Sequence, residues 1–476
     1  MGKRKNQVVY ENVEVVDAGS EGMAVGKVNE RVIFIPFVVP GDVVDVKVYK
    51  KRKGNLFAKA INFHRYSEKR ITAKCEHFGI CGGCKWQNMP YADQLHYKQK
   101  QVNDNLQRIG KVDVGIISPI IPSDDIYYYR NKLEYTFSDR KWVEDPRDIK
   151  SDTKEMPGLG FHLPGFYDKI LDINHCYLQN DPSNDIRIAI RDFAIENDFG
   201  FYNVKKQEGL LRNLIIRNTA LGEWMVIMVF HLNDEAKIRA MMDFIKERFP
   251  ELQSLMYVIN EKKNDDISDR EVILYSGKPF IMEELTDTAT GRNLSFKIGP
   301  LSFFQTNSRQ GNKLYDVVKE FAGLKGRETV YDLYTGTGTI ANFVAADAGK
   351  VYGIEYIPSA IEDAKENSKI NAIENTHFTA GDIANILDDE FIDKTGKPEV
   401  ILTDPPRAGM HPKVVKRINE SGAEKIVYVS CNPATQARDI LMMKENYRVE
   451  KIQPVDMFPH TAHVENVVLL RKIMDT

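Results

Sequence analysis

Three short turns carry residue types capable of covalent chemistry: Thr403-Asp-Pro-Pro-Arg-Ala-Gly409, Val427-Tyr-Val-Ser-Cys-Asn-Pro433 and His460-Thr-Ala-His-Val-Glu465. A thiolate is the strongest ordinary nucleophile near neutral pH, and its neighbours can tune a thiol away from about 8.5. A lone cysteine is more often a small buried hydrophobe. Cys431, however, is followed by Asn-Pro and flanked by turns that bring Asp404 and Glu465, which makes a nucleophile with carboxylates in reach the better reading.

The other four cysteines form a second set, Cys75-x5-Cys81-Gly-Gly-Cys84 with Cys176 about ninety residues further on. Two glycines between thiols let the backbone fold round a metal centre, and four thiolates complete either a zinc site or an iron-sulfur cluster. Spacing alone puts zinc slightly ahead. It also speaks against radical chemistry, whose usual cluster motif is a tighter triplet.

These residues need a scaffold. Val400-Ile-Leu402, Lys425 to Val429 and Val464 to Leu470 have strand character, so Asp404, Cys431 and Glu465 are expected where the strands of an open sheet run out. From about Lys325 the pattern alternates: strand Glu328 to Leu333, helix Thr339 to Ala348, strand Val351 to Glu355, helix Ser359 to Asn371, then Val400, Val414, Ile426 and Ile440 in the same rhythm. This predicts a doubly wound, parallel, Rossmann-like α/β sheet. Its first turn, Asp332-Leu-Tyr-Thr-Gly336-Thr-Gly338, lets a ligand approach bare backbone, and Glu355 ends the second strand where it could hold ribose hydroxyls. The turn alone also fits a dinucleotide. Hydride transfer has no use for a turn-borne Cys with Asp-Pro-Pro-Arg, whereas methyl transfer to a nucleobase uses both.

Upstream, residues 8 to 63 hold about five short alternating runs punctuated by glycine, which predicts a small OB-type β-barrel. Its Glu21-Gly-Met-Ala-Val-Gly26 and Val39-Pro-Gly-Asp42 turns resemble the TRAM domain, an RNA-binding barrel of RNA-modifying enzymes. Residues 1 to 70 carry 14 Lys or Arg against 8 Asp or Glu, on a chain whose net charge is -3. Lys50-Lys-Arg-Lys53 would supply phosphate contacts. Residues 91 to 110 read as an amphipathic helix that packs on the catalytic part by the stripe Leu95, Val102, Leu106 and Ile109, leaving Lys98, Lys100 and Arg108 on the surface. Residues 126 to 290 read as a mostly antiparallel β region with one helix near Asp234 to Arg248. Arg130-Asn-Lys132 and Arg212-Asn213 are candidate RNA contacts there, and the polar run Asp139 to Glu155 reads as a mobile loop. The expected division is 1–66 barrel, 67–290 central domain with the four-cysteine site, and 291–476 catalytic domain.

With 476 residues, 42% hydrophobic and 28% charged, the composition is that of a soluble protein. No run approaches the roughly 18 to 20 apolar residues of a membrane span, and Met-Gly-Lys-Arg-Lys-Asn lacks a signal-peptide core. A cytoplasmic monomer without membrane contact is expected, its five cysteines reduced.

Phe303-Phe-Gln-Thr-Asn307, the Asp332 to Gly338 turn, Asp404-Pro-Pro-Arg-Ala-Gly409, Ser430-Cys-Asn-Pro433 and Asp456-Met-Phe-Pro-His to Glu465, in that order, resemble the S-adenosylmethionine-dependent RNA 5-methyluridine methyltransferases. The cysteine set and the barrel are similar to the subgroup with a [4Fe-4S] cluster and a TRAM domain, many of which act on 23S ribosomal RNA. The resemblance implies that Gln305, Tyr334, Gly336, Glu355 and Asp404 hold the methyl donor, that Cys431 is the nucleophile and that Glu465 is the base. It implies that Cys75, Cys81, Cys84 and Cys176 hold the cluster. Many relatives have Cys or Ser at position 335; this chain has Thr, with little expected consequence because backbone makes the turn.

The chemistry needs those residue types. C5 of uracil is a weak nucleophile until a thiolate adds at C6, and the methylated adduct keeps a C5 proton that a carboxylate must remove before the thiolate leaves. The target base must be flipped out or lie in a loop. Other readings stay open: the same reaction on a transfer-RNA uridine, a 5-methylcytosine enzyme, which usually has a second Cys near Asp-Pro-Pro, or a non-catalytic iron-sulfur RNA-binding protein.

Overall fold

The computed structural model describes residues 8–143 and 156–473. The basic start of the chain and most of the polar run Asp139 to Glu155 lie outside the described residues.

Strands β1 (Val9–Ala18), β2 (Met23–Val28), β3 (Arg31–Pro36), β4 (Val43–Arg52) and β5 (Asn55–Arg65) close into a barrel of order β1-β2-β3-β5-β4. Alternation along each strand turns Val13, Val15, Ile33, Ile35, Val44 and Val46 inward. Gly26 is required at the β1/β2 crossing, because a Cβ there would sit 2.9 Å from Val13 and 3.0 Å from the Glu14 carbonyl. Asp42, fully buried in the Pro40-Gly-Asp turn, accepts from the Val39 and Ser67 amides at 2.7 and 2.8 Å and pairs with Arg70 at 2.5 Å. That turn therefore fixes how the chain leaves the barrel. Lys50 to Lys53 stand exposed on the β4–β5 hairpin.

Helix α1 (Tyr91–Arg108) buries Gln94, Lys98, Val102 and Leu106, a continuous i, i+4 row. The sequence placed Lys98 at the surface; instead its side chain is fully buried, donating to Asp456 Oδ1 at 2.6 Å and the Phe458 carbonyl at 2.9 Å. Tyr91 donates to the other oxygen of Asp456 at 2.9 Å. Ile109, expected in the stripe, is 38% exposed. Position on the helix decided burial here, and an aspartate on the facing loop made a buried ammonium tolerable.

The central region is one seven-stranded sheet, order β12-β11-β10-β9-β6-β7-β8. It is built from β6 (Lys132–Ser138), β7 (Gly158–Leu163), β8 (Phe166–Asp172), β9 (Leu211–Asn218), β10 (Trp224–Phe230), β11 (Ser254–Ile259) and β12 (Val272–Gly277). Its pairs are antiparallel except β10/β11, joined through α3 (Glu235–Arg248). A second helix, α2 (Ser183–Glu196), was not expected; it buries Ile186, Ile190 and Ala194 in the core that also holds Met241 and Ile245 of α3. The opposite face, with Met225, Ile227 and Val229, shares a core with Leu314 and Val318 of the catalytic region.

That region opens with the hairpin β13 (Ile281–Asp287), β14 (Arg292–Ile298) and helix α4 (Ser308–Ala322). The alternating part follows as β15 (Thr329–Leu333), α5 (Thr339–Val344), β16 (Lys350–Glu355), α6 (Pro358–Ile370), β17 (Thr376–Ala380), α7 (Ile383–Ile386), α8 (Asp389–Thr395), β18 (Val400–Thr403), α9 (Pro412–Ser421), β19 (Lys425–Ser430) and α10 (Pro433–Met443). Strands β20 (Tyr447–Val455) and β21 (Glu465–Lys472) complete a sheet of order β17-β16-β15-β18-β19-β21-β20. The sheet is not wholly parallel, as the alternation suggested, because β21 runs antiparallel between β19 and β20. The reversal matters: Glu465 begins its strand rather than ending it, and so lies at the edge where β15, β18 and β19 end.

Candidate active site

The glycine turn after β15 is set by backbone. Tyr334, Gly336 and Gly338 take φ of 64°, 55° and 73°, and a Cβ on Gly338 would lie 2.8 Å from that of Ala364. Asp332 points under the turn, accepting from Thr335 Oγ1 at 2.5 Å and the Ala341 amide at 3.1 Å. Its buried Oδ1 has no partner among the described residues. Position 335 is thus not inert, since its hydroxyl anchors Asp332. Glu355 caps the turn from β16, accepting from the Gly336 amide at 3.1 Å and the Ile357 amide at 3.0 Å. Gln305 arrives from the β14–α4 loop, held by Asn131, whose side-chain amide donates to the Gln305 carbonyl at 2.9 Å and to Ser308 Oγ at 2.8 Å.

Asp404 follows β18, its amide 3.4 Å from the Leu333 carbonyl. Helix α10 grips the loop beyond it. Asp439 accepts from the Met410 amide at 2.8 Å and the Tyr428 hydroxyl at 2.7 Å, and Asn432 donates to the Arg407 carbonyl at 3.0 Å while capping α10 through the Ala434 amide. Gly409, at φ 75°, has no room for a side chain between Arg438 and Asp439. Cys431 is thereby held half-buried between the end of β19 and the start of α10.

Glu465 is 5% exposed and reaches the same edge, because Ser430 of β19 pairs with Asn466 of β21. Two buried amides lock the pairing. Gln436 of α10 donates to the Tyr428 carbonyl at 2.8 Å and the Asn466 carbonyl at 3.1 Å, and Asn466 donates back to Gln436 Oε1 at 2.7 Å.

The edge is acidic, with Asp332 and Glu465 buried and Asp404 and Cys431 half-buried. Burial pushes Asp332 and Asp404 up to about 7, with Asp332 adding to the shift of Asp404. Burial and then the charge of Asp404 push Glu465 up to about 8, against Arg407. The Cys431 thiol is pushed up to about 11 by burial, with Glu465 and Asp404 adding and Arg407 opposing. Such a site suits a cationic ligand: a sulfonium beside these carboxylates would favour their charged forms.

Cys75, Cys81, Cys84 and Cys176 line one cavity of about 430 Å³, together with His175 and His463. Burial above all drives Cys84 up to about 12 and Cys176 up to about 11, with the neighbouring thiols adding to both shifts. No three His, Cys, Asp or Glu among the described residues are gathered tightly enough for a single metal ion. This cavity touches the catalytic edge through backbone: the amides of Lys85 and Trp86 donate to the His460 carbonyl at 2.8 and 3.0 Å, five residues before Glu465.

Other candidates moved. Arg212 and Asn213 are 1% and 2% exposed, and Arg212 spends its guanidinium on the Asn260, Lys262 and Asn264 carbonyls, so neither offers an RNA contact. Asn131 serves Gln305. Sequence reasoning quoted Asp332 and Thr335 within the glycine turn without giving either a role, and it missed Gln436 and Asn466, which carry no signal beyond lying within a few positions of the motifs.

A family model described as tRNA (uracil-5-)-methyltransferase matches residues 214–473, and one described as the TRAM domain of tRNA (uracil(54)-C(5))-methyltransferase matches residues 12–67. An uncharacterized RNA methyltransferase of Bacteroides thetaiotaomicron is 53% identical over 457 residues, 95% of this chain and 99% of that protein. Another, from Porphyromonas gingivalis, is 50% identical over 466 residues, 96% and 99% of the two chains. The crystal structure of Pyrococcus abyssi tRNA (uracil-54, C5)-methyltransferase with S-adenosyl-L-homocysteine superposes with a TM-score of 0.75 at 30% identity, over 96% of this chain and 100% of that one. Matched over more than half its length by the family model, and along nearly all of it by these relatives, the chain belongs to the S-adenosylmethionine-dependent RNA uracil-5-methyltransferases and carries a TRAM domain.

Proposed function

We propose that the protein methylates C5 of a specific uridine in RNA through a covalent bond from Cys431 to C6, resolved by Glu465. The observation that carries this reading is the β19/β21 register, which brings a thiol and a buried carboxylate to one edge of the sheet beside the glycine turn. S-adenosylmethionine supplies an electrophilic methyl group on a sulfonium. Gln305, Tyr334, Gly336, Glu355 and Asp404 would hold it, and the acidic edge fits its positive charge.

Cys431 adds to C6 as thiolate, which turns the ring into an enolate whose C5 can accept the methyl group. Arg407 favours the thiolate by its charge. Glu465 then takes the C5 proton, and the electron pair of that C–H bond restores the C5–C6 double bond as the thiolate leaves. Burial suits Glu465 to this late step, since a carboxylate pushed up to about 8 is a stronger base than an exposed one.

We further propose that the four cysteines hold a [4Fe-4S] cluster. The lining of one cavity by all four thiols supports a shared centre, and the likeness of the cysteine set to the iron-sulfur subgroup favours a cluster over zinc. For the RNA, the joint presence of barrel and cysteine set supports 23S ribosomal RNA; the name of the Pyrococcus abyssi relative supports a transfer RNA instead. Mapping 5-methyluridine in both RNAs from cells with and without the gene tests the reading, and no change in either would refute it.

A further inference from the structure

We propose that Tyr127, Tyr128 and Tyr177 form a stacking platform for unpaired RNA bases next to the target uridine, with Lys74 as its phosphate contact. This deepens the RNA-methylation reading and rests on it. The rings are half-buried and mutually edge-on: Tyr127 and Tyr128 lie 6.2 and 6.0 Å from Tyr177, at 69° and 61°. His175 adds a fourth ring 4.4 Å from Tyr177, and its Nε2 is 3.2 Å from the Tyr128 hydroxyl.

Two independent features point to a ligand. First, Tyr128 has φ 56°, a left-handed conformation that strains a bulky side chain. Its amide donates to the Tyr177 carbonyl at 2.8 Å, so the strained turn is what sets the three rings side by side. A glycine would make the same turn without strain, but without the ring. Second, the exposed Lys74 places its ammonium 4.8, 5.3 and 4.6 Å from the centroids of Tyr127, Tyr128 and Tyr177. A flexible cation over ring faces is a placeholder that a base can displace while the ammonium moves to the adjoining phosphate. Aromatic rings beside a cation are how proteins hold single strands without reading sequence.

The platform is tied to the catalytic edge. Tyr127 lies 4.4 Å from the buried His460 with the two rings tilted by 31°, and Tyr129, the third tyrosine of the run, donates to the Pro459 carbonyl at 2.9 Å. Both partners belong to the segment leading to Glu465, so a strand lying on these rings runs toward the site of methyl transfer.

The test is binding of a ten-nucleotide oligouridylate and of its abasic analogue, with equal charge but no bases, by the full-length protein and by Tyr128→Phe and Tyr128→Gly. Wild type and Tyr128→Phe should prefer the oligouridylate about ten-fold. Tyr128→Gly should lose that preference, with unchanged melting temperature and unchanged affinity for S-adenosylmethionine. Full preference in Tyr128→Gly would overturn the platform, and so would loss of preference accompanied by a large drop in melting temperature. Failure of the wild type to methylate uridine in RNA would strike the parent reading separately, since the binding comparison does not depend on turnover.

Discussion

Ser430 and Asn466 face each other across an antiparallel pair, so Cys431, just after one, and Glu465, just before the other, leave the sheet at the same edge. The proposed chemistry rests on this relationship. It would not exist in a wholly parallel sheet, where the start of a strand lies at the far edge.

The acidity of this edge predicts how the donor binds. With Asp332 and Asp404 pushed up to about 7 and Glu465 to about 8, ionising them in the ligand-free protein is unfavourable. By linkage, the resulting destabilisation is absent below their unfolded values near 4 and fully present above about 8. A sulfonium relieves it; a neutral thioether does not. The affinity ratio of S-adenosylmethionine to S-adenosylhomocysteine should therefore rise several-fold between about pH 6 and pH 8.5, measurable by calorimetry. A flat ratio would show that the carboxylates do not meet the sulfonium.

Arg407 opposes the upward shift of both Cys431 and Glu465. Arg407→Ala should move the rising limb of the pH–kcat/KM profile to higher pH, with a deficit of about ten-fold at pH 7 that shrinks toward pH 9. A deficit that stayed constant over this range, which lies well below the Cys431 value of about 11, would mean that the guanidinium does not act on Glu465.

Lys98 and Asp456 form an ion pair with both side chains fully buried. Lys98→Met strands a buried carboxylate and should cost about 3–5 kcal/mol in urea unfolding, whereas Lys98→Met with Asp456→Leu should cost less than the two single changes added together. Strict additivity would show that the pair is not coupled.

Anaerobically purified protein should be brown, absorb broadly near about 400 nm and contain iron and acid-labile sulfide. Cys84→Ser should lose the colour and weaken folding or RNA binding before it affects donor affinity. Stoichiometric zinc without sulfide would refute the cluster.

Much of the site was legible because each motif sits where an apolar run stops, and strand ends are marked by composition. Strand direction is not. Val464 to Leu470 reads as the same apolar run whichever way it pairs, so the placement of Glu465 depended on a hairpin that periodicity does not reveal. Charge misled in the opposite sense: Lys98 and Arg212 look like surface residues in any window, and their burial is explained by distant partners, Asp456 and the Phe458 carbonyl for one, the 260–264 carbonyls and Asp265 for the other. Asn131 was read as an RNA contact, and Gln436 and Asn466 were not singled out, because a buried amide is recognised by its partners, which lie 174, 30 and 30 residues away.

The most direct measurement is the fate of the covalent bond in Glu465→Gln. If Cys431 adds first and Glu465 acts after methyl transfer, this variant should form the bond and transfer the methyl group but fail to release the RNA. With donor labelled in the methyl group, a denaturing gel should show a slow-migrating, labelled protein–RNA adduct for Glu465→Gln and none for Cys431→Ala or the double variant. Turnover of both single variants should fall by a factor on the order of a hundred or more, so rate alone does not separate the roles. Normal turnover by Glu465→Gln, or the same adduct from Cys431→Ala, would contradict the assignment of nucleophile and base.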